Sequence, residues 1–320
     1  MTTAVLAVIV VILAAVSFYP HAASTTTTTV PATGPVVGQT LAGINDQLNN
    51  SELAAINNAP NSYFEAAGES LLNLTIPGES RNNGTYVGVV YMMKLQQYKP
   101  FIVNGKPSAI YVGATSCIYC AENRWAMALA LSRFGSFTSL YKGYSALGDG
   151  DVPTLFWAPQ NITGSGVDFM NYYTSNYINF FSGEFDSQIT GGFQPPSSGY
   201  NTFIQGATAQ SDRLAMEYMA NISQFKGTPT TLFGTTLNGG ADAVVFGTEN
   251  STTQKNTQYP PLTFMTHGSI IKQLSGMSST FALEEYAAAD VYVAQICLSI
   301  NNTASACSLP AITSIEGIIS

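Results

Sequence analysis

Residues 104–134 read NGKPSAIYVGATSCIYCAENRWAMALALSRF. Gly105-Lys106-Pro107 carries turn residues, and Ala109–Ala114, AIYVGA, is a short apolar, β-prone run of the kind that fills a buried strand. Residues 121–134 are strong helix formers, with Gly135 as the natural stop. The predicted helix is apolar on most sides, so it belongs at the centre of a domain. Between strand and helix stand Cys117 and Cys120. A thiol at a helix start faces unpaired N–H groups and the positive end of the helix dipole, which favour its thiolate. In this arrangement Cys117 is the exposed nucleophile. Cys120, within the first turn, is the resolving thiol that attacks the mixed disulfide.

Farther along, Gly227-Thr228-Pro229-Thr230 leads into a strand over Thr230–Thr236, a turn at Asn238-Gly239-Gly240 and a second strand over Asp242–Phe246. Asn-Gly between β-prone runs is a hairpin signal. This segment resembles the part of thioredoxins that carries a cis-proline opposite the redox pair. Pro229 takes that role in the resemblance, with Pro153 and Pro261 as rivals. A trans proline opening a strand is the plainer alternative. The chain departs from thioredoxins in four ways. Tyr111 stands where they keep a buried acid, and Ser116 replaces the aromatic residue before the first cysteine. Ile118-Tyr119 lies between the cysteines, and Pro229 follows Cys117 by 112 residues.

The rest of the chain supplies the frame. Residues 38–75 predict one or two short helices, and Thr85–Lys94 a strand. Phe137–Ser145 and Pro153–Ala158 predict further strands. Residues 159–206 are rich in glycine, asparagine and aromatics and read as an insertion with a strand near Tyr177–Phe181. Helices are expected over Thr208–Phe225, from His267 to Leu274, and over Phe281–Ile300, the last of the chain. On that final helix Glu284, Glu285 and Asp290 read as a solvated face. Glu122 and Arg124 are expected to meet solvent or loops, since an i,i+2 pair does not face itself. Trp125 fits the core, and His267 reads as a helix-start residue.

The chain has 320 residues, of which only 9% are charged, and its net charge is −8. No basic run exists, and nucleic-acid binding is excluded because it needs clustered cations to displace counterions. Uncharged polarity of this kind suits a surface or secreted protein, and also an acidic medium. Ala4–Tyr19 is an apolar run of 16 residues. As a helix it would span about 24 Å against a hydrocarbon core of about 30 Å. Residues 1–23 therefore read as a signal peptide or membrane anchor, and residues 24–37, with Thr25–Thr29, Pro31 and Pro35, as a linker. The folded domain is expected over 38–320. The expected setting is extracytoplasmic, membrane-anchored or secreted. Seven sequons begin at Asn49, Asn73, Asn83, Asn161, Asn221, Asn250 and Asn301 and permit glycosylation.

Four cysteines in an exported chain point to two disulfides. The natural pairing is Cys117–Cys120 and Cys297–Cys307, the latter a structural clamp. A zinc site on all four is disfavoured by the nine residues between Cys297 and Cys307. Asp149-Gly150-Asp151 lacks the other ligands of a calcium loop and reads as a turn. No cofactor and no metal is expected.

The block NGKPSAIYVGATSCIYCAENRWAMALALSRFGSF, together with SNYINFFSGE, GTPTTLFG, GADAVVFG and the pair Cys297/Cys307, resembles the archaeal proteins grouped as domain of unknown function 929. The resemblance runs from about Asn57 to the C-terminus. It implies an α/β, thioredoxin-like fold (a mixed sheet flanked by helices), a tethered or secreted location, and no assigned activity. The functional expectation is a thiol–disulfide oxidoreductase or isomerase acting on exported proteins through Cys117 and Cys120, with Pro229 at the site. The competing expectation is a non-enzymatic surface or partner-binding protein whose cysteine pairs are staples.

Overall fold

The computed structural model describes residues 43–74, 80–81, 84–87, 90–94, 102–114, 118–145, 152–159, 167–168, 171–185, 230–234, 241–248 and 265–320. The N-terminal apolar run, the linker, the helix expected over Thr208–Phe225 and Asp149-Gly150-Asp151 lie outside these residues. Among the described residues no helix is long and apolar enough to cross a membrane.

The fold is mixed α/β. Two helices come first, α1 (Asn50–Asn57) and α2 (Asn61–Leu74). The Asn49 side chain caps α1 by accepting from the Ser51 and Glu52 amides, while the Glu52 carboxylate accepts from the Asn49 amide. This reciprocal box satisfies donors that the first helical turn leaves open.

Strands β1 (Ser80–Arg81), β2 (Gly84–Val87) and β3 (Val90–Lys94) follow. The run Thr85–Lys94, expected as one strand, is two antiparallel strands whose close pair is Val87 with Val90. Uniform β propensity along the run hides that reversal. Next come β4 (Ile102–Val103) and β5 (Lys106–Ala114). The turn between them is Asn104-Gly105, both at positive φ (53° and 75°), rather than the expected Gly105-Lys106-Pro107. Lys106 and Pro107 already pair with Val103 and Ile102. Asn and Gly tolerate the left-handed region that a two-residue hairpin needs, whereas proline cannot enter it.

Helix α3 (Ile118–Leu131) leaves the C-terminal end of β5. Gly135 is not its stop but opens β6 (Gly135–Phe137), paired with β10 (Tyr173–Ser175). Here glycine is needed for close approach, because a Cβ would strike the Thr174 carbonyl oxygen and come within 2.8 Å of the Ser175 Cβ. The expected strands over Phe137–Ser145 and Pro153–Ala158 shorten to β7 (Tyr141–Tyr144) and β8 (Pro153–Phe156), which form a separate hairpin.

Strands β9 (Val167–Asp168), β11 (Asn179–Phe185), β12 (Thr230–Gly234) and β13 (Ala241–Thr248) complete the main sheet. Its order is β1-β2-β3-β13-β12-β5-β11-β9. β11 runs parallel to β5, while β12 is antiparallel both to β5 and to β13. The segment 159–206, read as an insertion, therefore supplies a central neighbour of β5. The hairpin expected around Asn238-Gly239-Gly240 is present as β12 and β13.

The chain ends in α4 (His267–Gly276), α5 (Thr280–Ser299), a single 3₁₀ turn (Ser305–Ser308) and α6 (Pro310–Ile319). α5 packs against α2, α3, α4 and α6. It is enclosed on nearly every side, with apolar residues around its whole circumference. That enclosure overturns the reading of Glu284, Glu285 and Asp290 as a solvated face. All three are buried, Asp290 completely. The Cys297–Cys307 disulfide is present, with Cα atoms 5.5 Å apart, and ties the end of α5 to the turn before α6. Asn301 and Asn302, both at φ 55°, reverse the chain between them.

Candidate functional site around Cys120 and the start of helix α3

β5 carries the chain through the middle of the sheet, and α3 begins at Ile118, four residues after the strand ends at Ala114. Cys120 lies in the first turn of α3 and is fully buried. Cys117 and Pro229 lie outside the described residues. Thr230, next in sequence to Pro229, pairs with Val112. The start of β12 is thus brought to the end of β5 from which the cysteines depart.

The surroundings of this helix start are more polar than the sequence suggests. Glu122, Asn123 and Arg124, expected to meet solvent or loops, are completely buried. α3 is wedged between the sheet, the β8 hairpin and α5, so even its short polar stretch has no face left for water. The Arg124 guanidinium lies 5.9 Å from the Tyr111 ring centre and 5.6 Å from that of Phe156. Its Nη1 donates to Thr154 Oγ1 at 3.5 Å, and Thr154 Oγ1 donates in turn to the Ala121 carbonyl at 2.7 Å. Trp125 donates through Nε1 to the Pro153 carbonyl at 3.1 Å. Strand β8 therefore buttresses the first turns of α3 through two consecutive residues. Pro153, a rival for the proline role, supplies a carbonyl to this buttress.

His267 belongs to the same buttress from the other side. Its Nε2 lies 2.8 Å from the Gly143 carbonyl and 2.9 Å from that of Thr154. Both are acceptors, so Nε2 carries a proton and donates. Burial pushes the imidazolium pKa down to about 4, although both carbonyls favour the charged form. The ring also meets Tyr144 edge-on at 4.8 Å. His267 is a structural clamp between β7, β8 and α4. Tyr111, at the position where thioredoxins keep an acid, is buried with its ring edge-on to Trp157 at 5.6 Å.

Behind α3 runs a set of buried carboxyls. Burial raises the Glu285 pKa well above the carboxylate range, and the neighbouring Glu122 and Glu284 raise it further. Asp290 is raised by burial and by Glu65. Among the described residues neither Asp290 oxygen has a hydrogen-bond partner, nor has Glu285 Oε2. Uncompensated carboxylates would be costly there, so these groups are held as neutral acids.

The family described as Domain of unknown function (DUF929) matches residues 91–297, about two thirds of the chain. This chain belongs to that family. No curated protein and no solved structure matches it. The DUF929 match opens in β3 and closes at Cys297, so it takes in both cysteines of the C-x-x-C, Arg124, Thr154, the β12–β13 hairpin and most of α5. Cys307 and α6 lie beyond it.

Among the described residues of the DUF929 chain no three His, Cys, Asp or Glu side chains are grouped to hold a metal ion. A cleft of about 350 Å³, lined by Val103, Lys106, Ser175, Asn179 and Phe181 among others, opens at the N-terminal end of β5, at the far end of the strand from the cysteines. Sequence reasoning placed Trp125 correctly but missed Arg124, Thr154 and His267 as one connected group. One signal was available: Arg124 is the single cation within α3 and stands four residues after Cys120.

Proposed function

We propose that this protein is an extracytoplasmic, thioredoxin-like thiol–disulfide oxidoreductase or isomerase acting on exported proteins through Cys117 and Cys120. The observation that carries the reading is the topology at the motif. A C-x-x-C leaves a central strand and enters a buried helix. That strand has a parallel neighbour on one side and an antiparallel hairpin on the other. This is the arrangement expected of a thioredoxin-like sheet. The hairpin follows Pro229 directly, which supports the proline's assignment opposite the redox pair. Burial of Cys120 agrees with the resolving role, in which only Cys117 meets substrate.

The test is equilibration of the full chain in glutathione buffers of known poise, followed by alkylation and peptide mass spectrometry. An exchangeable Cys117–Cys120 pair should have a potential near or above about −230 mV, whereas a structural staple lies below about −300 mV. The second value would remove the enzymatic reading.

One observation favours a non-enzymatic alternative. Buried neutral carboxyls such as Glu285 and Asp290 suit a protein that works in acid. At pH 3 a thiol of pKa about 7 is only about 10⁻⁴ thiolate, so exchange there would be very slow. In that reading the C-x-x-C is a staple in a surface protein.

A further inference from the structure

Asn301-Asn302-Thr303 stands after α5 has ended at Ser299 and before the 3₁₀ turn at Ser305–Ser308, inside the loop that Cys297–Cys307 closes. All three residues are exposed. The two asparagines share the left-handed backbone that this residue tolerates, yet their side chains are used differently. The Asn302 side chain donates through Nδ2 to Glu316 Oε2 of α6 at 3.1 Å, and its main-chain N–H donates to the Cys297 carbonyl at 2.9 Å. The Thr303 hydroxyl donates to the Ile300 carbonyl at 3.0 Å. These bonds fix the turn without help from the Asn301 side chain, which has no hydrogen-bond partner among the described residues.

The structure separates this sequon from the one at Asn49. Asn49 Oδ1 accepts from the Ser51 and Glu52 amides, both at 3.0 Å, and from the Ser51 hydroxyl at 2.7 Å. That asparagine is occupied as the cap of α1, and the hydroxyl of its own sequon is folded into the cap. N-glycan acceptors belong to surface loops, which describes Asn301 and not Asn49. The side chains of the other five sequon asparagines lie outside the described residues.

We propose that Asn301 is a modification site that carries an N-linked glycan. The inference rests on the extracytoplasmic part of the proposed function and not on its redox part. The donor class is a glycan joined through C1 to a lipid phosphate. Asn301 Nδ2 attacks C1, the N–C1 bond forms and the C1–O bond to phosphate breaks. The phosphate leaves with the electron pair, and the amide gives up one proton. Such a chain has a use for neutral polarity. Its 11 Lys and Arg balance its 19 Asp and Glu once eight carboxyls are protonated, so its formal charge passes through zero in acid. Charge repulsion then no longer keeps molecules apart, whereas a bulky glycan solubilises the surface without charge.

For the test, the full chain is purified from its source cells, unfolded, reduced and cut with a Glu-specific protease. The Tyr286–Glu316 peptide is then weighed before and after chemical deglycosylation. Expected is a mass increment of whole sugar residues on Asn301 that deglycosylation removes. Thr303→Ala, which leaves Asn301 and its backbone in place, should abolish the increment, and Thr303→Ser should retain it. An increment that persists in Thr303→Ala overturns the assignment. In parallel, a membrane-impermeant amine reagent applied to intact cells reports through the exposed Lys272 whether the chain lies outside. A labelled chain with Asn301 bare overturns the glycan assignment alone. An unlabelled chain with Asn301 bare overturns the extracytoplasmic reading and the assignment with it.

Discussion

Replacing Glu285 by Gln and Asp290 by Asn should change the pH dependence of stability more than stability itself. Both carboxyls have folded-state pKa values raised above the ordinary 4.5 and 3.8. A group raised on folding binds its proton more tightly in the folded state. Its contribution is therefore fully present below the unfolded pKa and is lost as pH rises toward the folded one. The loss is about 1.4 kcal/mol per pH unit for each group, or about 2.7 for the pair. His267 works in the opposite sense. Its pKa falls from 6.5 to about 4. The stability it contributes is complete above pH 6.5 and is lost as pH falls toward 4, at about 1.4 kcal/mol per unit and roughly 3 kcal/mol in all. Where pH lies above the ordinary carboxyl values and below both the raised values and 6.5, the two carboxyls outweigh the one histidine, leaving a net decline of about 1.4 kcal/mol per unit as pH rises. Stability should therefore peak in acid, near the lower end of that window. Guanidinium unfolding at constant ionic strength, from pH 4 to 8, measures this directly. Relative to the wild type, the double variant should gain stability as pH rises from 4.5, with most of the slope removed. Wild-type stability that is flat or rising from pH 5 to 7, or a double variant with an unchanged slope, would refute the argument that these acids are carried neutral.

Two further outcomes follow from the packing. Cys297→Ala with Cys307→Ala opens a disulfide whose partners are 10 residues apart, and should cost roughly 2–3 kcal/mol, read as a lower guanidinium midpoint at pH 5. An unchanged midpoint would mean that the turn at Asn301 and Asn302 holds α5 to α6 without the bond. Gly135→Ala should destabilise by about 1–3 kcal/mol, because the new methyl meets backbone in β10 that has no room to yield. A thermal midpoint equal to the wild type would show that β6 and β10 can separate at no cost.

Much of the local structure was legible. The β5 run, the helix after it, the β12–β13 hairpin and the helices beginning near His267 and Phe281 all follow from propensity, periodicity and turn residues. Boundaries went astray where one local signal served two purposes. Gly135 looks like a helix stop because glycine ends helices, yet it is required by a strand passing too close for a Cβ. Thr85–Lys94 looks like one strand because every residue in it favours β structure, and propensity carries no record of where a chain reverses.

The amino-acid sequence by itself determined the strand–cysteine–helix order, the absence of basic surface runs, and the presence of a very apolar helix late in the chain. Those are properties of neighbours along the chain. Tertiary structure alone decided which polar residues lose water. Glu285, Asp290, Glu122 and Arg124 look like ordinary surface residues in sequence, and their burial comes from elements far away: α2, α4 and α6 closing over α5, and β8 closing over α3. Ionisation state and the placing of a buried charge depend on desolvation by those distant elements, and no local pattern encodes it. The cysteines are therefore visible in the sequence, while the burial of Arg124 on the same helix and of the acids behind it emerges only when the helices pack.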